Sequence, residues 1–169
     1  IVWLMKEAKI VITQTPLRLS FFGGSSDIES FYLKNNGCVI SSTIDKYIYV
    51  TLKSHGNLFD EKYRLNYQHA ENLDNVKDIK NNIIRECLNF FKIEDPLYIS
   101  TVADIPSQSG LGSSSSFTVG LLNALYSYTG KKVSAGKLAE EACHIEIEVI
   151  KSPIGKQDQY AAAFGGLNK

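Results

Sequence analysis

The 169-residue chain has no excess of either charge, since eighteen basic residues stand against eighteen acidic ones. Polyanion binding rests on clustered positive charge, so this balance gives no reason to expect bulk nucleic-acid binding, although it leaves room for a local phosphate site. Cysteine is scarce. Cys38, Cys87 and Cys143 are odd in number, widely spaced and outside any Cys-x-x-Cys pair, which argues against a disulfide framework or a zinc site. A reducing cytosol fits that usage, and a cytoplasmic location is expected. Long apolar runs are also missing. The opening stretch, residues 1–5, is too brief to span a bilayer. It lacks the basic-then-apolar layout of a secretory signal, and Met5 is read as a natural start. There are no internal repeats and no low-complexity linker apart from one run of serines. Neither a Walker A ending, Gly-Lys-Ser/Thr, nor a Gly-x-Ser-x-Gly elbow occurs, so a P-loop and a hydrolase nucleophile turn are both disfavoured.

What is present suits one soluble domain with a real core: 44% apolar residues, 21% charged. Residues 9–13 read as a strand, Leu17 to Phe22 as a second extended piece. Asp27 is expected to cap a short helix through about Leu33. Residues 39–43, 47–53 and 59–67 read as strands, on their β-branched and aromatic content. Val76, Ile79, Ile83, Ile84, Cys87, Leu88 and Phe91 recur at helical spacing. A strand over 97–102 leads to a small-residue loop, then a helix beginning near Ser113 and ending at Gly130. Ser134 caps a further helix, a Pro/Gly break follows, and residues 157–164 form a last short helix. Strands come early and helices late, which favours an α+β fold over a doubly wound sheet.

Chemistry concentrates in three segments. In the first, Arg18 lies in an apolar stretch before Gly23 and Gly24, with Ser25 and Asp27 just beyond. A buried guanidinium needs a partner, so Arg18 either pairs with a carboxylate or faces a ligand. Asp27 either caps its helix or accepts hydrogen bonds from hydroxyls while doing so. The second segment, Pro106 to Ser116, follows a strand and opens a helix. Glycines allow close backbone approach, and the exposed N–H groups of a first helical turn attract phosphate. The bland alternative is a flexible turn that merely caps a helix.

The third segment runs from Glu146 to Gly166. Glu146 falls on the polar side of its helix, where Glu140, Glu141 and Glu148 make a solvated face by default. Asp158 follows the Pro/Gly break. A chain that turns back there brings both carboxylates to one cleft, one to hold a metal ion and one to take a proton from an attacking hydroxyl.

In order, spacing and residue type these segments resemble the GHMP kinases, the family of galactokinase, homoserine kinase and mevalonate kinase. Pro-x-Arg, the Gly-Gly turn and Asp27 are similar to the family's first motif, and Pro106 to Ser114 to its second, ATP-binding motif. Within the family, residues 16–28, 41–52 and 155–168 are most similar to the heptose 7-phosphate kinases, with L-fucokinase-like enzymes the nearest rivals. The resemblance implies the GHMP N-terminal domain, a ribosomal protein S5 domain 2-like fold with a mixed or antiparallel sheet and helices packed on one side, spanning residues 1–169. The family's C-terminal domain, with its third motif, is absent from this sequence.

The resemblance further implies ATP and Mg2+ as cofactors and a sugar phosphate as substrate, phosphorylated at its anomeric hydroxyl to supply nucleotide-activated heptose for surface polysaccharide. ATP is expected on Gly110, Leu111, Gly112, Ser113, Ser114 and Ser115. Mg2+ is expected on Glu146 and Ser114, with Ser113 competing for the hydroxyl role. Asp158 is the expected base and Arg18 the group that neutralises the moving phosphoryl charge. Gly24, Ser25, Asp27 and Gln157 are expected to bind the sugar. A separate C-terminal half or a homo-oligomer is the expected protein partner, with no nucleic acid and no membrane. The alternatives are a non-catalytic nucleotide- or sugar-binding module and an RNA-binding relative, the latter disfavoured by the charge balance. Lys151 stands where the heptose kinases tend to have glycine, and it is expected to be exposed.

Overall fold

The computed structural model describes residues 10–56, 58–107 and 109–169. Met5, Lys9 and Gln108, which enter the sequence expectations above, and Asn57, expected in a turn after His55 and Gly56, lie outside the described residues. Among the described residues six strands form one sheet: β1 (Ile10–Phe22), β2 (Ile40–Ser54), β3 (Tyr63–Asn66), β4 (Ala70–Leu73), β5 (Leu97–Ala103) and β6 (Leu167–Asn168). Their order is β1-β2-β5-β3-β4, with β6 pairing β2 off that path. All pairings are antiparallel except β3 with β5, so the sheet is mixed, as expected.

The two early extended pieces are one strand. β1 runs through Pro16 because it is an edge strand, where a missing N–H costs no ladder bond. The register shifts between Pro16 and Arg18 absorb the irregularity. Likewise, residues 39–43 and 47–53 belong to the single strand β2. The strand expected over 59–67 is confined to β3, and β4 and β6 were not foreseen.

Five α-helices accompany the sheet among the described residues: α1 (Glu29–Tyr32), α2 (Asn82–Phe91), α3 (Ser113–Tyr128), α4 (Ala135–Cys143) and α5 (Gln157–Phe164). Strand alternation explains which face they cover. Thr13, Thr15 and Leu17 of β1, with Ile48, Val50 and Leu52 of β2, point inward, while Ile10 and Ile12 face out. α3 lies against that inner face. Thr13 Oγ1 donates to Gly120 O at 2.8 Å. A Cβ at Gly120 would stand 2.6 Å from Thr15 Oγ1, so only glycine permits this approach. α3 is buried on most sides, through Phe117, Val119, Leu121, Leu122, Ala124 and Leu125, rather than along one stripe. It is the central element of the core, with α2, α4 and α5 around it.

α4 begins where expected, with the Ser134 hydroxyl accepting from Lys137 N. Past Cys143 it widens into a π-helical turn over His144–Val149. No helix among the described residues is long and apolar enough to cross a membrane.

Candidate active site

β5 delivers the chain to a loop whose last residues set up α3. Gly110 (φ 76°) and Gly112 (φ 78°) both take the left-handed conformation that a side chain resists. Gly112 is the N-cap residue and supplies no side-chain cap, so the first-turn N–H groups of α3 remain without a side-chain acceptor. Such a terminus attracts anions. The loop is anchored to β1 twice: Arg18 N donates to Leu111 O at 3.1 Å, and Arg18 Nη1 donates to Gly110 O at 2.7 Å.

Arg18 does find its carboxylate. Its Nε and Nη2 donate to Asp158 Oδ1 and Oδ2 at 2.7 and 2.8 Å, a bidentate pair. The two side chains are 12% and 22% exposed, so the pair faces partly into solvent. Asp158 sits in the first turn of α5, and its Oδ2 would lie 3.2 Å from a Cβ at Gly112. The fold therefore brings Asp158 to the glycine loop across 46 residues of chain.

Glu146 reaches the first turn of α3, just past the loop, and here the sequence expectation needs correcting. It is not on a solvated face: it is 1% exposed. The widened turn breaks the 3.6-residue period on which that expectation rested. Ser114 Oγ donates to Glu146 Oε1 at 3.0 Å, and Gln159 Nε2 donates to Oε2 at 2.7 Å. Burial pushes the Glu146 carboxyl above its ordinary pKa, against hydrogen bonds from Gln159, Ser115, Ser114 and Thr118. Ser115 is buried with its hydroxyl on Glu146, whereas Ser114 is exposed and Ser113 half-buried. No cluster of three or more His, Cys, Asp or Glu side chains able to hold a metal occurs among the described residues. The donor set, one carboxylate beside serine hydroxyls, nevertheless fits a hard cation that takes its other oxygens from phosphate and water.

Asp27 is also corrected. It does not cap α1, whose N-cap is Ile28. Its Oδ2 accepts from Gln157 N at 2.7 Å, so it caps α5 from 130 residues away. Gly155 packs so closely on Asp27 that no side chain fits there. Burial raises the Asp27 pKa, opposed chiefly by the Gln157 and Lys156 backbone N–H groups. Gln157 Nε2 donates to Gly24 O at 3.4 Å, and Ser25 is exposed on the same turn. Asp27, Gln157, Tyr32, Lys156 and Tyr160 line an open cleft of about 810 Å³.

The structure thus gathers Arg18, Asp158, Glu146 and Ser114 around Gly110–Gly112, and Asp27, Gly24 and Gln157 beside the first turn of α5. Sequence reasoning missed Gln159 and Lys156. Gln159 carries a signal in retrospect, as a neutral polar residue just before the apolar run Tyr160 to Phe164. Lys156 carries none beyond its place before the helix.

The family described as GHMP kinases N terminal domain matches residues 77–166. The chain is 37% identical to the D-glycero-alpha-D-manno-heptose 7-phosphate kinase of Campylobacter jejuni, over 95% of this chain and 50% of that protein. It is 30% identical to the mevalonate kinase of Methanothermobacter thermautotrophicus, over 76% of this chain and 41% of that one. Among solved structures, a D-glycero-D-manno-heptose 1-phosphate kinase from Bacteroides thetaiotaomicron superposes with a TM-score of 0.81 at 27% identity, covering 95% of this chain and 55% of the other. Lactococcus lactis galactokinase, complexed with galactose, gives 0.72 at 21% identity, over 95% of this chain and 42% of that one, which shows the fold alone. The chain spans about half the length of the curated relatives it matches.

Proposed function

The chain belongs to the GHMP kinase family, and from that premise we propose that it is the ATP-binding, catalytic part of a sugar kinase that phosphorylates the anomeric hydroxyl of a sugar phosphate. The substrate we propose is a heptose 7-phosphate, on the likeness to the Campylobacter enzyme. Residues 1–169 then correspond to the N-terminal domain, completed by a C-terminal GHMP domain. The product would feed nucleotide-activated heptose into surface polysaccharide in the cytoplasm.

One observation carries this reading: a carboxylate held bidentate by Arg18 stands against Gly112 of an anion-attracting loop, while a second carboxylate is hydrogen-bonded to Ser114 two residues on. In our reading the triphosphate lies on the N–H groups of residues 110–115. Glu146 and Ser114 would hold Mg2+. That ion, when bound, would neutralise phosphate charge as the phosphoryl group moves. Asp158 orients the anomeric O–H and accepts its proton as the O–P bond forms and the bond from phosphorus to the ADP oxygen breaks. Arg18 fixes the Asp158 carboxylate in two dimensions and adds positive charge beside the moving phosphoryl group. Gln157 N donates to Asp27 Oδ2, and the carboxylate's remaining lone pairs would receive sugar hydroxyls, with Gly24, Ser25 and the Gln157 amide beside it. Most of the rate gain in this scheme comes from positioning and charge stabilisation.

The test is ADP release by the complete protein with ATP and Mg2+, against heptose 7-phosphate, L-fucose, galactose and mevalonate. The highest kcat/KM is expected for heptose 7-phosphate. A preference for mevalonate, or no turnover with any acceptor, overturns the reading.

A further inference from the structure

We infer that Lys156 forms an anion subsite in the cleft beside Asp27 and reads the distal phosphate of the sugar substrate. This rests on the sugar-kinase reading and adds the residue that would make such an enzyme require a phosphorylated sugar.

Three observations converge on Lys156. It is the residue immediately before α5, so its backbone is fixed by the same turn that places Gln157 and Asp158. Its side chain lies over the Tyr32 ring, with Nζ 5.3 Å from the ring centre, and both residues line the 810 Å³ cleft. The aromatic face holds the ammonium in place without neutralising it. Finally, among the described residues no carboxylate lies within ion-pair distance of its Nζ, which distinguishes it from Arg18. Lys156 is therefore an exposed cation beside an aromatic ring, whose field reaches Asp27 but which makes no direct ion pair among the described residues.

The rest of the cleft sharpens the assignment. Its walls are largely aromatic or apolar, from Tyr32, Val39, Tyr160 and Phe164. The acidic group there is Asp27, one oxygen of which is committed to Gln157 N. Asp27 suits hydroxyls and repels phosphate. An anionic group entering the cleft is thus directed away from Asp27 and toward Lys156, with Lys169, which also lines the cleft, adding to the same field. Hydroxyl recognition by Asp27 and phosphate recognition by Lys156 thus meet beside the first turn of α5, from distant parts of the chain.

The experiment measures equilibrium binding by titration calorimetry, with ADP release in parallel, using the complete protein and two probes: D-glycero-D-manno-heptose 7-phosphate and the same heptose without its phosphate. Lys156→Met keeps the apolar stem against Tyr32 and removes the charge. It is expected to weaken binding of the phosphorylated probe by roughly 10–100-fold, the usual scale for losing a charge-assisted hydrogen bond. Affinity for the unphosphorylated heptose should stay the same, and Lys156→Arg should recover most of the loss. Equal weakening for both probes, no change for either, or no binding of the phosphorylated probe by the parent protein overturns the subsite. Charge-dependent binding without ADP release upholds the subsite and sinks the kinase reading instead.

Discussion

Gln159 and Glu146 are joined by a 2.7 Å hydrogen bond in the interior, from the helix that carries Asp158 to the widened turn behind the glycine loop. The Gln159 amide oxygen is itself buried without a partner among the described residues, so the side chain's orientation is set by Glu146. One short helix thereby fixes both acidic groups of the site. Asp158 looks to Arg18, and its neighbour in sequence grips Glu146.

Replacing Gln159 with Leu removes that grip and deprives the buried Glu146 carboxylate of one of its hydrogen bonds. The variant should lose roughly 1–3 kcal/mol in urea denaturation. In the complete protein its Mg2+ titration should shift to higher concentration, while KM for the sugar changes little. An unaltered Mg2+ curve alongside lowered stability would reduce Gln159 to a packing role.

Asp158→Asn keeps the shape of the side chain but removes the proposed proton acceptor. Turnover should fall about 100-fold or more, on the usual scale for a general base. Circular dichroism should stay unchanged. Turnover near that of the parent would take Asp158 out of the base role.

Gly112→Ala tests the loop. The left-handed conformation (φ 78°) costs a non-glycine residue about 1–2 kcal/mol, and the added Cβ would press on Asp158 Oδ2 at 3.2 Å. Both a lower melting temperature and weaker ATP-analogue binding are expected. A variant matching the parent in both would show that the loop relaxes without consequence.

Lys151→Gly acts in the opposite direction. Lys151 is exposed, as expected from sequence, and its φ of 63° is of the kind glycine adopts freely. Relief of the strain should raise stability by about 0.5–1 kcal/mol, net of glycine's greater chain entropy. A drop in melting temperature would contradict this account.

Acid stability tests Glu71, far from the site. Burial pushes its carboxyl upward. Hydrogen bonds from Tyr67 and from the Lys80 and Asn81 backbone, with the charge of Lys80, outweigh that and leave it below the ordinary 4.5. A depressed carboxylate pKa stabilises the fold above the unfolded value, and the contribution disappears as pH falls through the folded one. The parent should therefore lose stability below about pH 4.5 more steeply than Glu71→Gln. Parallel pH curves for the two proteins would exclude Glu71 as a source of acid sensitivity.

Much of this architecture can be read from residue patterns where the determinants are local. The span of α5 follows from the Pro/Gly break before it and Gly165-Gly166 after it. The start of α3 follows from the glycines that precede it. Four features escaped because their determinants are remote or aperiodic. Asp27 reads as a cap for its own helix, since nothing nearby reveals that its partner is the N–H of Gln157. Glu146 reads as solvated because a period of 3.6 cannot anticipate a widened turn. β6 is two residues long and exists only through its pairing with Ser41 and Ser42. The continuity of β1 across Pro16 depends on edge position, which is a property of the whole sheet.

β2 has a mechanical consequence. Near its start it pairs with the two residues that leave α5, and along its second half with β5, which runs on into the glycine loop. The strand that leads into the glycine loop and the residues that follow α5 are both riveted to one fifteen-residue girder. Prying them apart would mean tearing ladder hydrogen bonds from its edge. In the proposed kinase a clamping motion would therefore have to pivot elsewhere, for instance about the turn that bears Asp27.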